Sequence, residues 1–284
     1  MTKPIQNLML NSNSLKVNRQ GSLCFITFPK LEKFNNIKHG FSTRLGGVSE
    51  GYYAAMNLSF TTGDCRETVV KNYEIFSKAL GIDPKSTVLS RQTHNDNIRI
   101  VTEKDCGKGV YKEFDYSDID ALITNVPGVT LVTHSADCCL LVFFDPIKKV
   151  IASAHAGWRG TVKEIGLKTV QKMCQEFGSK PQDVIAGIAP SIGKCCYEVD
   201  DPVYNEFIKL EYLDIPQIFT TKPNGKYMLD LWEANKQILV KSGINPDNID
   251  VTDLCTNCNC DELHSHRATA GKRGVNALLI QLCE

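Results

Sequence analysis

Three residues, set apart by type and context, are best placed to do chemistry. His94 closes Ser90-Arg-Gln-Thr-His94 just after a strand-like run. Cys138 lies in Ser135-Ala-Asp-Cys138-Cys139, where one apolar run hands over to the next, and His155 opens His155-Ala-Gly-Trp-Arg-Gly160 at the end of another. Functional groups collect on loops and strand ends, which a rigid scaffold holds while leaving them accessible. Two imidazole nitrogens and one sulfur suit zinc, and three protein ligands leave a fourth position open, the catalytic rather than the structural arrangement. Spacing alone also admits a plainer reading, two hydrogen-bonded structural histidines and a buried thiol, because scattered His and Cys form no local zinc motif.

The turn chemistry offers a link between two of the three. If Asp145-Pro-Ile-Lys148 is a hairpin turn centred between Pro146 and Ile147, Cys138 lies directly opposite His155. Opposed residues on one face have Cβ atoms about 4.5–5.5 Å apart, near enough to share one ion. A four-residue loop does not fix the register uniquely. A cysteine facing a histidine is also the arrangement of a thiolate activated by a general base. Beyond His155, Gly157, Arg159 and Gly160 precede Thr161-Val-Lys-Glu164, which reads as a capping box. A helix beginning there would present unpaired N–H groups to an anion, with Arg159 free to clamp a phosphate. An ordinary glycine-rich connection with Arg159 on the surface fits the same residues.

These residues need a frame. Val69, Tyr73, Phe76 and Leu80 recur at helical spacing, predicting a helix over Glu67 to Leu80 that Gly81 closes. Short runs rich in β-branched residues follow at Ile98–Thr102, Ile119–Thr124, Val129–His134, Cys139–Phe144 and Val150–Ala154, separated by turn residues. A helix starting at Thr161, with Val162, Ile165, Thr169, Met173 and Phe177 on its apolar face, ends at Gly178. Further helices are expected near Pro202–Leu210 and Leu231–Lys241, and strands at Val184–Ile188, Ile249–Leu254 and Val275–Leu282. Strands in consecutive groups with helices between them predict a mixed α/β (α+β) fold, and no linker divides residues 1–284, so one domain is expected.

Thirty-two basic residues balance thirty-two acidic ones, so no electrostatic footprint for nucleic acid or an anionic membrane is present. The apolar runs are strand-length, far short of a bilayer span. The N-terminal MTKPIQNLMLNSNS does not read as a secretory signal, and the twelve cysteines are therefore expected to be reduced thiols of a cytoplasmic protein. Cys255, Cys258 and Cys260 with His264 or His266 have some ligand-like spacing, but a lone CxxC among crowded neighbours is weak, and no second zinc is expected from them.

From Lys38 onward the chain resembles the laccase-domain (multicopper polyphenol oxidase) family. The matching motifs are Phe41-Ser-Thr-Arg44-Leu-Gly-Gly47, Met56-Asn57-Leu58, Gln92-Thr-His94, Ala136-Asp-Cys138, His155-Ala-Gly-Trp-Arg-Gly160, Ile188-Ala-Pro-Ser-Ile-Gly193 through Tyr197-Glu-Val199, Cys255-Thr256 and Ser265-His-Arg267. Ala268 stands where many members carry a second arginine.

The resemblance implies a zinc site formed by His94, Cys138 and His155, and a fold of mixed sheets between helices, distantly like cysteine-dependent deamidating toxins. It implies phosphorolysis of purine nucleosides (adenosine, inosine, guanosine, methylthioadenosine) and hydrolytic deamination of adenosine. Purine nucleosides and phosphate are then the small-molecule partners, with Arg44 and Arg159 the candidates for phosphate and Asp137 for proton transfer. Capping a turn is the plainer role for Asp137. Copper, Cu2+, is expected only as a substitute in the zinc site, because a copper phenol oxidase needs several ions with their own imidazoles and the chain has six histidines in all. A metal-independent cysteine hydrolase built on Cys138 and His155 is the rival reading.

Overall fold

The computed structural model describes residues 10–284; most of the N-terminal stretch read for a secretory signal lies outside the described residues. Two six-stranded sheets form the centre. In the first, the order is Lys16–Gln20, Leu23–Thr27, Ile37–Ser42, Asn276–Leu282, Thr130–Ser135 and Thr87–Leu89, antiparallel except for the last pair. The second runs Ile249–Val251, Ile185–Ile188, Cys139–Asp145, Val150–Ala156, Ala121–Thr124 and Ile98–Ile100, parallel only at its two outer pairs.

The sheets pack face to face because their strands are apolar on both sides. Leu140, Val142 and Phe144 join Leu131, Leu278 and Ile280 in one buried layer between the sheets. The alternate residues Leu141 and Phe143 face the opposite way, onto the helices Ile165–Phe177 and Leu231–Lys241. Val132, Ala277 and Leu279 likewise turn from the first sheet toward Val69, Tyr73 and Phe76 of the helix Arg66–Ala79. The result is a helix–sheet–sheet–helix stack of the mixed α/β class, in which strands buried on both faces read as continuous apolar runs. Inside the central layer Thr133 and Ser153 satisfy each other across the sheets at 2.6 Å. A small third sheet, Glu198–Val199, Tyr227–Leu229 and Phe219–Thr221, covers the edge of the second helical layer. No described helix is long and apolar enough to cross a membrane.

The fold corrects two expectations. The hairpin between Cys139–Asp145 and Val150–Ala156 pairs Asp145 with Val150 and Cys139 with Ala156, so Leu140, not Cys138, is opposite His155. The loop is Pro146 to Lys149: the Asp145 carboxylate accepts from the Ile147 and Lys148 N–H groups, and Lys149 takes a left-handed conformation (φ 52°) that closes the turn one residue later than expected. The capping box also does not form. The helix starts at Trp158 with Gly157 as its cap, runs only to Val162, and restarts at Ile165 after Glu164 turns left-handed (φ 60°). Thr161 is inside the first piece, its hydroxyl donating to the Ala156 carbonyl and accepting from Asn235, and the Glu164 carboxylate accepts from Tyr212 at 2.5 Å.

Candidate active site

The three residues singled out by type converge at one end of the sandwich. His155 is on the last turn of its strand, on the inter-sheet face shared with Leu140. Cys138 is just outside the first residue of the neighbouring strand, so the two are diagonal rather than opposed. Diagonal residues on one face still reach each other with long side chains. His94 arrives from the other direction, on the loop that follows Thr87–Leu89, with its backbone left-handed (φ 65°). The donor atoms of His94, Cys138 and His155 all lie within 4.8 Å of one another, and the two imidazole rings meet edge to face with centroids 4.7 Å apart. This group can hold a metal ion. His155 is buried, Cys138 half-buried and His94 exposed, so the group opens to one side.

A residue that sequence reading missed holds the group together. The fully buried Asp120 accepts a hydrogen bond from His155 Nδ1 at 2.8 Å, which directs Nε2 of that ring toward Cys138 and His94. The same carboxylate accepts from the backbone N–H groups of Thr93, His94 and Asn95. A carboxylate behind a ligating histidine fixes its tautomer and orientation. In the sequence Asp120 sits inside an expected strand, where an acid reads as a solvent-facing residue; only the fold brings His155 against it.

The local charges reinforce one another. Burial alone would raise the Cys138 thiol, but the His155 and His94 imidazoles outweigh it and bring the thiol down to about 6. Burial would lower His155, yet the Cys138 sulfur and the Asp120 carboxylate carry it up to about 9. Without a metal the pair is therefore a thiolate beside an imidazolium. Gly157 is required by the close packing: a Cβ there would meet Cys138 Sγ at 2.9 Å and His94 Cδ2 at 3.2 Å.

The group lines a cavity of about 440 Å³ together with Phe60, Phe114, His134, Arg91 and Arg273. That is the size of a small-molecule site, with apolar walls and a few polar groups. Burial lowers Arg273, offset in part by the charges of Asp137 and Cys138, and its Nε is buried without a hydrogen-bond partner in the structure. His134 is kept neutral by burial and by the charge on His155, down to about 4, and bonds the Tyr73 hydroxyl at 2.5 Å.

The remaining sequence candidates lie outside the cavity. Arg44 donates to the carbonyls of Ala54 and Cys260. Arg159 is exposed, its guanidinium 4.3 Å from the centroid of the Trp158 ring. Asp137, left-handed at φ 95°, accepts from the Thr256 hydroxyl at 2.6 Å and the Arg267 N–H at 2.7 Å, which anchors the turn carrying Cys138. The other histidines are spoken for separately: His39 accepts from the Phe28 N–H, His264 meets the Met56 carbonyl, and His266 starts a short exposed helix. Among the described residues, His94 and His155 are thus the only histidines grouped with other metal-ligating side chains.

Residues 38–283 match the family model described as multi-copper polyphenol oxidoreductase laccase. The chain belongs to this family. Among its relatives, a purine nucleoside phosphorylase YlmD of Bacillus subtilis is 39% identical over 238 residues, covering 83% of this chain and 84% of that one. An adenosine deaminase RL5 of an unknown prokaryotic organism is 31% identical, covering 87% of this chain and 95% of its own. The solved structure of Bacillus licheniformis hypothetical protein YfiH superposes with a TM-score of 0.88 at 34% identity, covering 95% of this chain and 99% of that one.

Proposed function

We propose that this protein is a zinc-dependent purine nucleoside phosphorylase that also deaminates adenosine. The observation that carries the reading is the convergence of a three-ligand donor set and an arginine, Arg273, whose Nε has no hydrogen-bond partner, on one small-molecule cavity. Relatives named for each of the two activities support it. The donor set fits zinc: two imidazoles, one sulfur already biased to thiolate, and a side left open. Zinc in such a set is a Lewis acid that lowers the pKa of water toward neutrality. We assign phosphate to Arg273, in place of Arg44 and Arg159, because it lines the cavity and they do not. Phe60 and Phe114 add apolar lining against which a purine can pack, and neutral His134 offers a hydrogen bond without adding charge. Asp120 holds His155, while Asp137, with both oxygens occupied, positions Cys138 rather than carrying protons. Adenosine, inosine, guanosine and methylthioadenosine are the proposed substrates, and the reduced thiols of the site suit the cytoplasm.

Phosphorolysis consumes inosine and phosphate and yields hypoxanthine and ribose 1-phosphate; deamination consumes adenosine and water and yields inosine and ammonia. Purified protein given inosine with and without phosphate is the test. Ribose 1-phosphate formed only with phosphate supports the reading, and free ribose at equal rate in both would make the enzyme a nucleosidase. Arg273→Ala is expected to lose about ten- to a hundred-fold in phosphorolysis, the cost of one charge-assisted contact. Adenosine deamination, which uses no phosphate, falls less.

The thiolate–imidazolium pair favours one second reading, a metal-independent cysteine hydrolase acting through Cys138 and His155. Activity that survives chelation and is abolished by alkylation of Cys138 would establish that reading instead.

A further inference from the structure

A second cluster of thiols lies apart from the cavity. Cys195 and Cys196 follow the loop after strand Ile185–Ile188, and Cys255 and Cys258 follow strand Ile249–Val251. These two strands are parallel neighbours, so their C-terminal loops emerge side by side. A bridge between Ser191 and Cys255 continues the pairing into the loops. Cys258 Sγ is 3.5 Å from Cys195 Sγ and 3.4 Å from Cys196 Sγ, and all four sulfurs lie within 4.8 Å of one another. The Gly193 N–H donates to Cys255 Sγ at 3.2 Å.

We propose that Cys195, Cys196, Cys255 and Cys258 bind one zinc ion as a closed, structural tetrathiolate site. A tetrahedral ion with Zn–S bonds of about 2.3 Å sets its sulfurs roughly 3.8 Å apart, so the four need only small rotations to close on it. A single disulfide does not account for the arrangement, because Cys258 approaches two sulfurs equally and both lie beyond the bonding distance of about 2.05 Å. Within Cys255 to His266 alone, the spacing does not predict a second zinc. The structure replaces Cys260 and the two histidines with a pair some sixty residues upstream. The Gly193 N–H···S bond is the kind that stabilises charge on a metal thiolate.

The place of the cluster gives it a task. The Thr256 hydroxyl, between two of the thiols, holds one oxygen of Asp137. The Ile192 N–H, just before the other pair, donates to the Asp137 carbonyl. An ion joining the two loops would fasten the turn that presents Cys138, so it positions the active site without touching substrate.

Protein purified anaerobically with reductant, then freed of loose metal, should contain two zinc ions per chain, and Cys258→Ser one. His94→Ala should also contain one, the tetrathiolate ion remaining. Cobalt replacement gives a readout that needs no variant: two binding phases, one with several-fold stronger thiolate charge-transfer absorption than the other. One ion per chain in the wild type that Cys258→Ser keeps and His94→Ala loses, a single cobalt phase that Cys258→Ser leaves unchanged, or two ions persisting in a Cys195→Ser/Cys258→Ser double variant would overturn the proposal. So would two disulfides among the four thiols in reduced, anaerobically prepared protein.

Discussion

Asp120 has no contact with solvent, yet two of the three donor residues depend on it. It aims the His155 ring through Nδ1 and gathers the N–H groups of the loop that carries His94. Burial would raise its carboxyl, but the bonds from His155, Thr93 and Asn95 hold it below its ordinary value. Asp120→Asn should therefore weaken metal binding by about 10–100-fold, the usual loss when such a carboxylate is removed, measured by competition with a chromogenic chelator. In metal-free protein the thiolate form of Cys138 is populated above about 6. Its alkylation, followed peptide by peptide in a mass spectrometer, is expected to show a midpoint near that pH. Removing the Asp120 charge makes imidazolium at His155 less favourable, which takes stabilisation from the thiolate. The midpoint in Asp120→Asn should move up; an unchanged midpoint would break the link between the two residues.

Short-range patterns were readable wherever their cause is local. The helix Leu231–Lys241 falls where apolar spacing and Gly243 place it, and Arg66–Ala79 lies within a residue of expectation at each end. Cys138 and His155 were found as neighbours although the register was mistaken, because a shift of two residues keeps both on the same face. What escaped was set by backbone detail or by long-range contact: the left-handed Lys149, the left-handed Glu164, Asp120 against His155, Arg273 in the cavity, and the second thiol pair. Two of these elements are testable. Lys149→Gly relieves an exposed left-handed residue and should stabilise the hairpin by about 0.5–1 kcal/mol in urea unfolding, some of the relief being lost to the freer unfolded chain. Gly157→Ala puts a methyl against Cys138 and His94 at the strand-to-helix corner. Its expected signature is weaker metal binding with little change in the stability of the metal-free protein; equal losses in both would mean the corner itself had given way.

At the scale of the molecule, the His94, Cys138 and His155 group ties together a loop from the first sheet and two strand ends of the second. An ion held there bridges the sandwich, so its binding free energy adds to folding free energy. With free zinc at a thousand times the dissociation constant the gain is about 4 kcal/mol, which for a chain of this size raises the unfolding midpoint by about 5–10 °C. Calorimetry with and without a chelator checks this, and His94→Ala should lose most of that increment. The Thr133–Ser153 bond in the dry layer between the sheets is another such tie. Thr133→Val leaves the Ser153 hydroxyl unsatisfied there and should cost about 1–3 kcal/mol.

The chain has two tryptophans, and the fold sets one beside each group of thiols. Trp158 follows Gly157 directly, and Gly157 packs on Cys138 and His94. Trp232 donates to Ser191, which bridges to Cys255, and a Cβ on Gly193 would touch both Trp232 and Cys255. The molecule thus carries its own pair of optical reporters. A paramagnetic ion such as Cu2+ or Co2+ entering the His94, Cys138 and His155 group should quench emission from Trp158 first. Trp158→Phe and Trp232→Phe would separate the two signals, so that the order and rate of metal uptake could be followed by fluorescence without attaching a dye.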